Sequence, residues 1–74
     1  MEGRITRSAR KHGISAGRIR EALSGAEFIR QDGDAILYVG TDSRGLELEM
    51  VLVPDYRKLG EYAVIHAMPT KWRK

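Results

Sequence analysis

The spacing of apolar positions changes near residue 26. Over residues 5–12, Ile5, Ala9 and His12 recur at i, i+4 and i+7, which predicts a first helix. Gly13 suits the end of it, because glycine tolerates the positive φ of a helix terminus. A second helix is predicted over 16–24. Ser15 is its N-cap, Ile14 and Ile19 have the spacing of a hydrophobic staple, and Ile19, Ala22 and Leu23 form one face. Gly25 is expected to end it in the same way as Gly13. From Ala26 the period becomes two. Strands are predicted over 26–31, 35–40, 46–53 and 61–68. Asp32-Gly33-Asp34 reads as a hairpin turn, 41–45 as a second turn and 54–60 as a longer one. Pro69 ends the last strand, since proline has no N–H for a ladder.

This order gives an α+β fold, ααββββ. Two N-terminal helices pack on one face of a four-stranded antiparallel meander, all within a single domain of residues 1–74 that ends in a basic tail, 70–74. On the third strand, Leu46, Leu48, Met50 and Leu52 form the core face, which turns Glu47, Glu49, Val51 and Val53 outward. On the last strand, strict alternation groups Tyr62, Val64, His66 and Met68. The small Ala63 and Ala67 on the other side would let helices approach, so Tyr62 and His66 are expected on the uncovered face.

Composition narrows the chemistry. The 74 residues include no cysteine, so disulfides, thiolate zinc sites and cysteine nucleophiles are excluded. His12 and His66 cannot form an all-histidine metal site alone, and no metal or cofactor is expected. No apolar run approaches the roughly 20 residues of a membrane helix. No apolar segment follows the first residues as in a secretory signal. A cytoplasmic protein with no membrane contact is the expectation. A core this small seldom supplies more than about 3–5 kcal/mol, which makes self-association a natural remedy.

The net charge of +3 hides an uneven distribution. Residues 1–20 carry six basic residues and one acid, residues 21–70 four basic and nine acidic, and residues 71–74 three more basic. Basic ends flank an acidic middle. Such ends attract phosphates or serve as solvated faces.

His66 is the candidate acid–base group near neutral pH. Tyr62, four residues away on the same strand, is positioned to assist it, and Arg44 to stabilise phosphate charge. Arg57, Lys58, Lys71 and Arg73 are candidate nucleic-acid contacts, with Trp72 able to stack on a base. Each has a plainer reading: His66 and His12 as structural histidines, Trp72 as a packing residue on the sheet edge, and Asp32, Asp34 and Asp42 as turn residues. Gly-rich phosphate loops and the Gly-x-Ser-x-Gly and His-Glu-x-x-His motifs are absent.

The string Lys11-His12-Gly13-Ile14-Ser15 resembles the Lys-His-Gly-Val-Ser segment of BrnT-like toxins. Residues 37–45 look like that family's hairpin with its Asp-x-x-Gly turn, and Val64-Ile65-His66-Ala67-Met68-Pro69 is similar to small toxin-like bacterial proteins. The resemblance runs over about residues 5–70. BrnT-like chains belong to the RelE/ParE-like toxin–antitoxin group. The resemblance implies helices on an antiparallel sheet, RNA cleavage or translation inhibition as the activity, RNA or the ribosome as target, and a protein antitoxin as partner. Two departures are visible. The pattern holds no N-terminal strand ahead of the helices, and His66-Ala67-Met68-Pro69 stands where that family has an Ile-Ser-Ala-Arg-Arg-like run.

Three functions follow as expectations. The first is a toxin-type endoribonuclease using His66. The second is a non-catalytic binding module that forms a homodimer, or holds a partner protein, through the open sheet face. The third is nucleic-acid binding without chemistry.

Overall fold

The computed structural model describes residues 3–72. Five strands, β1 (Gly3–Ile5), β2 (Glu27–Asp32), β3 (Ala35–Thr41), β4 (Glu47–Pro54) and β5 (Tyr62–Pro69), form one sheet in the order β1-β5-β4-β3-β2. One α-helix, α1 (Ala16–Ser24), packs on it. Strands β2 to β5 pair antiparallel in sequence, whereas β1 is parallel to β5. The fold is α+β with one helix and a mixed five-stranded sheet. This corrects the expected two helices on a four-stranded antiparallel sheet.

The first helix is where the pattern misleads. Ile5 lies opposite Val64 in the β1–β5 ladder. The next residue, Thr6, donates both its N–H and its hydroxyl to the Val64 carbonyl, at 3.1 and 2.8 Å. Its hydroxyl oxygen also accepts the Ala9 N–H at 3.3 Å. Backbone groups that a helix would need are thus engaged by β5 and the turn. An isolated helix of eight residues is marginal in any case. Only a single 3₁₀ turn, Ser8–Arg10, remains, and it buries Ala9. The N-terminal strand that the pattern does not reveal is therefore present, as β1.

The second helix forms as its signals dictate. The Ser15 hydroxyl oxygen accepts the Arg18 N–H at 3.2 Å, and Ile14 and Ile19 both join the core. Gly13 takes φ 81°, but Gly25 caps α1 at φ −119° and so does not repeat it. The core lies between α1, the Ser8–Arg10 turn and one sheet face. Its fully buried large side chains are Ile19, Leu48, Met50, Leu52 and Val64. At Gly40 on β3 helix and sheet approach closely, since a Cβ there would lie 2.0 Å from the Ala22 carbonyl oxygen.

Two bulges interrupt alternation. Phe28 pairs with Tyr38 and Arg30 with Leu37, leaving Ile29 as the extra residue of β2. Leu52 pairs with Val64 and Val51 with His66, leaving Ile65 as the extra residue of β5. The second bulge inverts the face of everything after it. Tyr62 and Val64 therefore stand on the helix-covered side, and His66 on the open one. The expectation that Tyr62 and His66 share a face is overturned by this one inserted residue.

Among the described residues no helix is long and apolar enough to cross a membrane.

Candidate functional site

On the open face, cross-strand register lines up Arg30, Leu37, Val51 and His66 in one row, and Glu27, Val39, Glu49 and Met68 in the next. Glu49 and His66 are diagonal neighbours on β4 and β5. His66 Nε2 lies 3.0 Å from Glu49 Oε2. The Glu49 side chain is only 9% exposed and that of His66 29%. A carboxylate only accepts hydrogen bonds, so the neutral imidazole places its proton on Nε2 and its lone pair on Nδ1. That is the arrangement of a base held by an orienting acid.

A second imidazole stands beside it. His12 leaves the N-terminal segment just before Gly13, and its ring is edge-on to His66 with centroids 6.1 Å apart. Trp72, half exposed in the Thr70–Trp72 turn, is edge-on to His12 at 5.6 Å. That turn is fastened where Thr70 donates its hydroxyl to Glu47 at 2.7 Å. The site thus joins three distant stretches of chain: the segment after β1, the middle of β4, and β5 with the turn that follows it. Among the described residues no group of three or more His, Asp or Glu is placed to hold a metal ion.

The expected site residues divide. His66 is central to the cluster, Trp72 reaches it through His12, and Lys71 lies in the same turn as Trp72. Tyr62 is separated from it by the sheet and packs against the core. Arg44 lies in the β3–β4 turn, which is tied to α1 rather than to β5. In that turn Asp42 accepts the Arg44 and Leu46 N–H groups at 2.8 and 3.0 Å, and the Arg18 guanidinium at 2.8 Å. Ser43 donates its N–H and hydroxyl to Glu21. Arg57 and Lys58 occupy the β4–β5 loop, at the other end of β5 from Trp72. Eight residues of strand separate the two ends, about 23 Å. Arg73 lies outside the described residues.

The loop has its own scaffold. Asp55, nearly buried, accepts two hydrogen bonds from Arg4, at 3.2 and 3.3 Å, and one from the Arg57 N–H at 2.9 Å. The Arg4 guanidinium and the Arg57 N–H hold the Asp55 carboxyl below the usual carboxylate range, with burial opposing them. For Asp42, burial alone would push the pKa up, but the Leu46 N–H, Arg18 and the Arg44 N–H outweigh it and lower the value. Tyr56 protrudes from the loop, 85% exposed, with the Arg4 and Arg57 guanidiniums 5.9 and 5.6 Å from its ring centroid.

Parallel pairing of β1 with β5 is what assembles the charge. It sets the exposed Arg7, Arg10 and Lys11 along the β5 edge. Arg57 and Lys58 lie at one end of that edge and Lys71 at the other. Sequence reasoning missed His12 and Glu49. For Glu49 a signal existed, as an acid on the outward face of an apolar strand beside a histidine-bearing one. For His12 there was none, because its place depends on the lost helix. Compared with protein-family models, with curated proteins and with solved structures, the chain matches none of them.

Proposed function

We propose that this protein is an endoribonuclease of toxin type, and that His66, Glu49 and His12 are its acid–base machinery. The observation that carries the reading is the pair of nearly buried Glu49 and part-exposed His66, with a second imidazole at its side, beside a basic edge. RNA supplies its own nucleophile. The 2′-hydroxyl attacks the adjacent phosphorus, His66 Nδ1 takes the hydroxyl proton, and the P–O5′ bond breaks. His12, protonated, gives a proton to the departing 5′-oxygen. Glu49 holds the His66 ring and balances its charge once protonated. Lys71 and the cations of the N-terminal segment attract the phosphate backbone, and Trp72 offers a stacking surface. The products are a 2′,3′-cyclic phosphate and a free 5′-hydroxyl. The resemblance to BrnT-like toxins favours the same reading and adds a protein antitoxin as the neutralising partner.

The test is incubation of purified protein with single-stranded RNA, followed by end-group analysis. Cyclic phosphate termini are expected, and His66→Ala should slow their formation by about 10²–10⁴-fold. Induced expression should arrest growth, and the same substitution should relieve it. Equal cleavage by wild type and variant, or none by either, refutes the assignment.

One observation favours a second reading. Phe28 and Ile29 on edge strand β2 are 53% and 45% exposed, which suits a binding module that takes a partner strand there. Light scattering on the purified chain checks its homodimer form, and a monomer at micromolar concentration removes it.

A further inference from the structure

The open face holds a cavity of about 190 Å³, lined by Arg30, Asp32, Ala35, Leu37, Glu49 and Val51. It shares a wall with the catalytic cluster. Val51 is the register partner of His66, and Glu49 is its hydrogen-bond partner. The cavity is smaller than the roughly 300–1,000 Å³ that takes a drug-sized ligand, and suits a single flat heterocycle. Leu37, Val51 and Ala35 provide an apolar floor. Arg30 and Asp32 stand at its rim on β2, both exposed. Neither side chain has a hydrogen bond or ion pair with another described residue.

We infer that this cavity is a base-recognition subsite for guanine, in the RNA strand whose phosphate lies at His66. The inference rests on the RNA reading above and deepens it. The argument is one of donors and acceptors. A carboxylate with two acceptor oxygens is satisfied best by two adjacent N–H donors, and only guanine presents two side by side, at N1 and N2. The neighbouring O6 and N7 are acceptors, the usual target of an arginine fork. Asp32 and Arg30 lie on one strand and one face two residues apart, so together they match that edge. Adenine and cytosine offer one exocyclic amino group beside an acceptor, and uracil one N–H between two acceptors. Each would leave one Asp32 oxygen facing a lone pair. An unstacked base can enter such a cavity in single-stranded RNA, where sequence-specific recognition concentrates. Val51 and His66 are cross-strand neighbours about 5 Å apart, so a base over Val51 leaves its own phosphate within reach of the imidazole.

Titration of the folded protein with each of the four 5′-mononucleotides, followed by methyl and amide NMR, tests the subsite whether or not the chain cleaves RNA. Shifts of the Leu37 and Val51 methyls with GMP are expected. AMP, CMP and UMP should bind about 5- to 150-fold more weakly, the discrimination of one good bidentate contact. Asp32→Asn should abolish the preference while its spectrum without nucleotide stays folded, since Asp32 is exposed at the strand end. A trinucleotide with one central G should bind more tightly than GMP or GTP. Equal shifts with all four nucleotides, shifts confined to Trp72 and His12, an unchanged preference in Asp32→Asn, or GTP binding above the trinucleotide would each overturn the inference. Cleavage by wild type with no preference for guanine would overturn it as well, and would leave the endoribonuclease reading standing.

Discussion

Replacing Gly40 by alanine adds one methyl group at a close approach of helix to sheet. The new Cβ would lie 2.0 Å from the Ala22 carbonyl oxygen, 2.9 Å from its carbonyl carbon and 3.1 Å from the Ala26 Cβ. Two of these three atoms are backbone, so no side-chain rotation relieves the clash. Ordinary contact begins near 3.4 Å, and α1 must therefore retreat by about 1.4 Å or tilt away. A radial gap of 0.5–1 Å already forfeits about a quarter to a half of a contact's dispersion energy. Ile19, Ala22 and Leu23 are the helix side chains that would lose it. A buried Ile or Leu is worth about 1.5–3 kcal/mol, so half of two such side chains is about 1.5–3 kcal/mol. Overpacking at other cores costs a similar amount, about 1–3 kcal/mol.

Against a total near 3–5 kcal/mol for a core of this size, that is about half of the stability. At about 4–8 °C per kcal/mol, Tm should fall by roughly 6–24 °C. Circular dichroism melts and urea titrations of wild type, Gly40→Ala and Gly25→Ala measure it. Gly25 is the internal control, since it has negative φ and a methyl group added there would meet nothing within 4 Å. Gly25→Ala should be neutral or stabilise by about 0.4–1 kcal/mol, through the unfolded chain. A Gly40→Ala protein that melts with wild type would show that α1 does not press on β3 there.

Other expectations follow from the same geometry. Gly13→Ala should cost about 1–2 kcal/mol by urea denaturation, because φ 81° is strained for alanine although space is open. Asp42 and Asp55 have lowered folded-state pKa values, so the stability they add is full above their unfolded value near 3.9 and is lost as pH falls through the folded values. Asp42→Asn/Asp55→Asn should flatten the acid limb of a Tm–pH curve below about pH 4, and an unchanged limb would contradict the assignment. His66→Ala alone should destabilise by leaving Glu49 without its imidazole, whereas the apolar pair His66→Leu/Glu49→Met should recover stability in the same melts and abolish cleavage. RNA affinity should fall with salt, and Arg57→Ala and Lys71→Ala should each reduce the log–log slope by about 1.

Much of this fold is legible in the chain because local signals and burial agree. Ser15, Ile14 and Ile19 announce α1, and the Leu48-Met50-Leu52 alternation announces β4 with its core face. Asp32-Gly33 announces the β2–β3 turn, where Gly33 has φ 62°. The failures are non-local. Ile5 and Ala9 have helical spacing, yet Val64, 58 residues beyond Thr6, takes the hydrogen bonds. No window of sequence contains both partners. The β5 bulge is equally hidden. Tyr62-Ala63-Val64-Ile65-His66 reads as unbroken alternation, and only the pairing with β4 reveals that Ile65 is supernumerary. The candidate site inherits both errors: the pattern places Tyr62 on the wrong side, and assigns His12 to a helix that does not form.

The two features that pattern reading misses are the two that build the site. The Ile65 bulge rotates His66 off the core side and onto Glu49. Strand β1 delivers His12 and the basic N-terminal segment to the same edge. The N-terminal segment also closes the core, since Ala9 is buried in it and Ile5 packs against it. A plain four-stranded meander under two helices would bury the same leucines, but would keep Tyr62 and His66 on one face and leave His12 on a helix. The departures from regular pattern lie where the candidate site lies, the place where local rules most often give way. Nearly buried Glu49 extends the argument. In register between Val39 and Met68, its carboxylate is held 3.0 Å from the His66 imidazole.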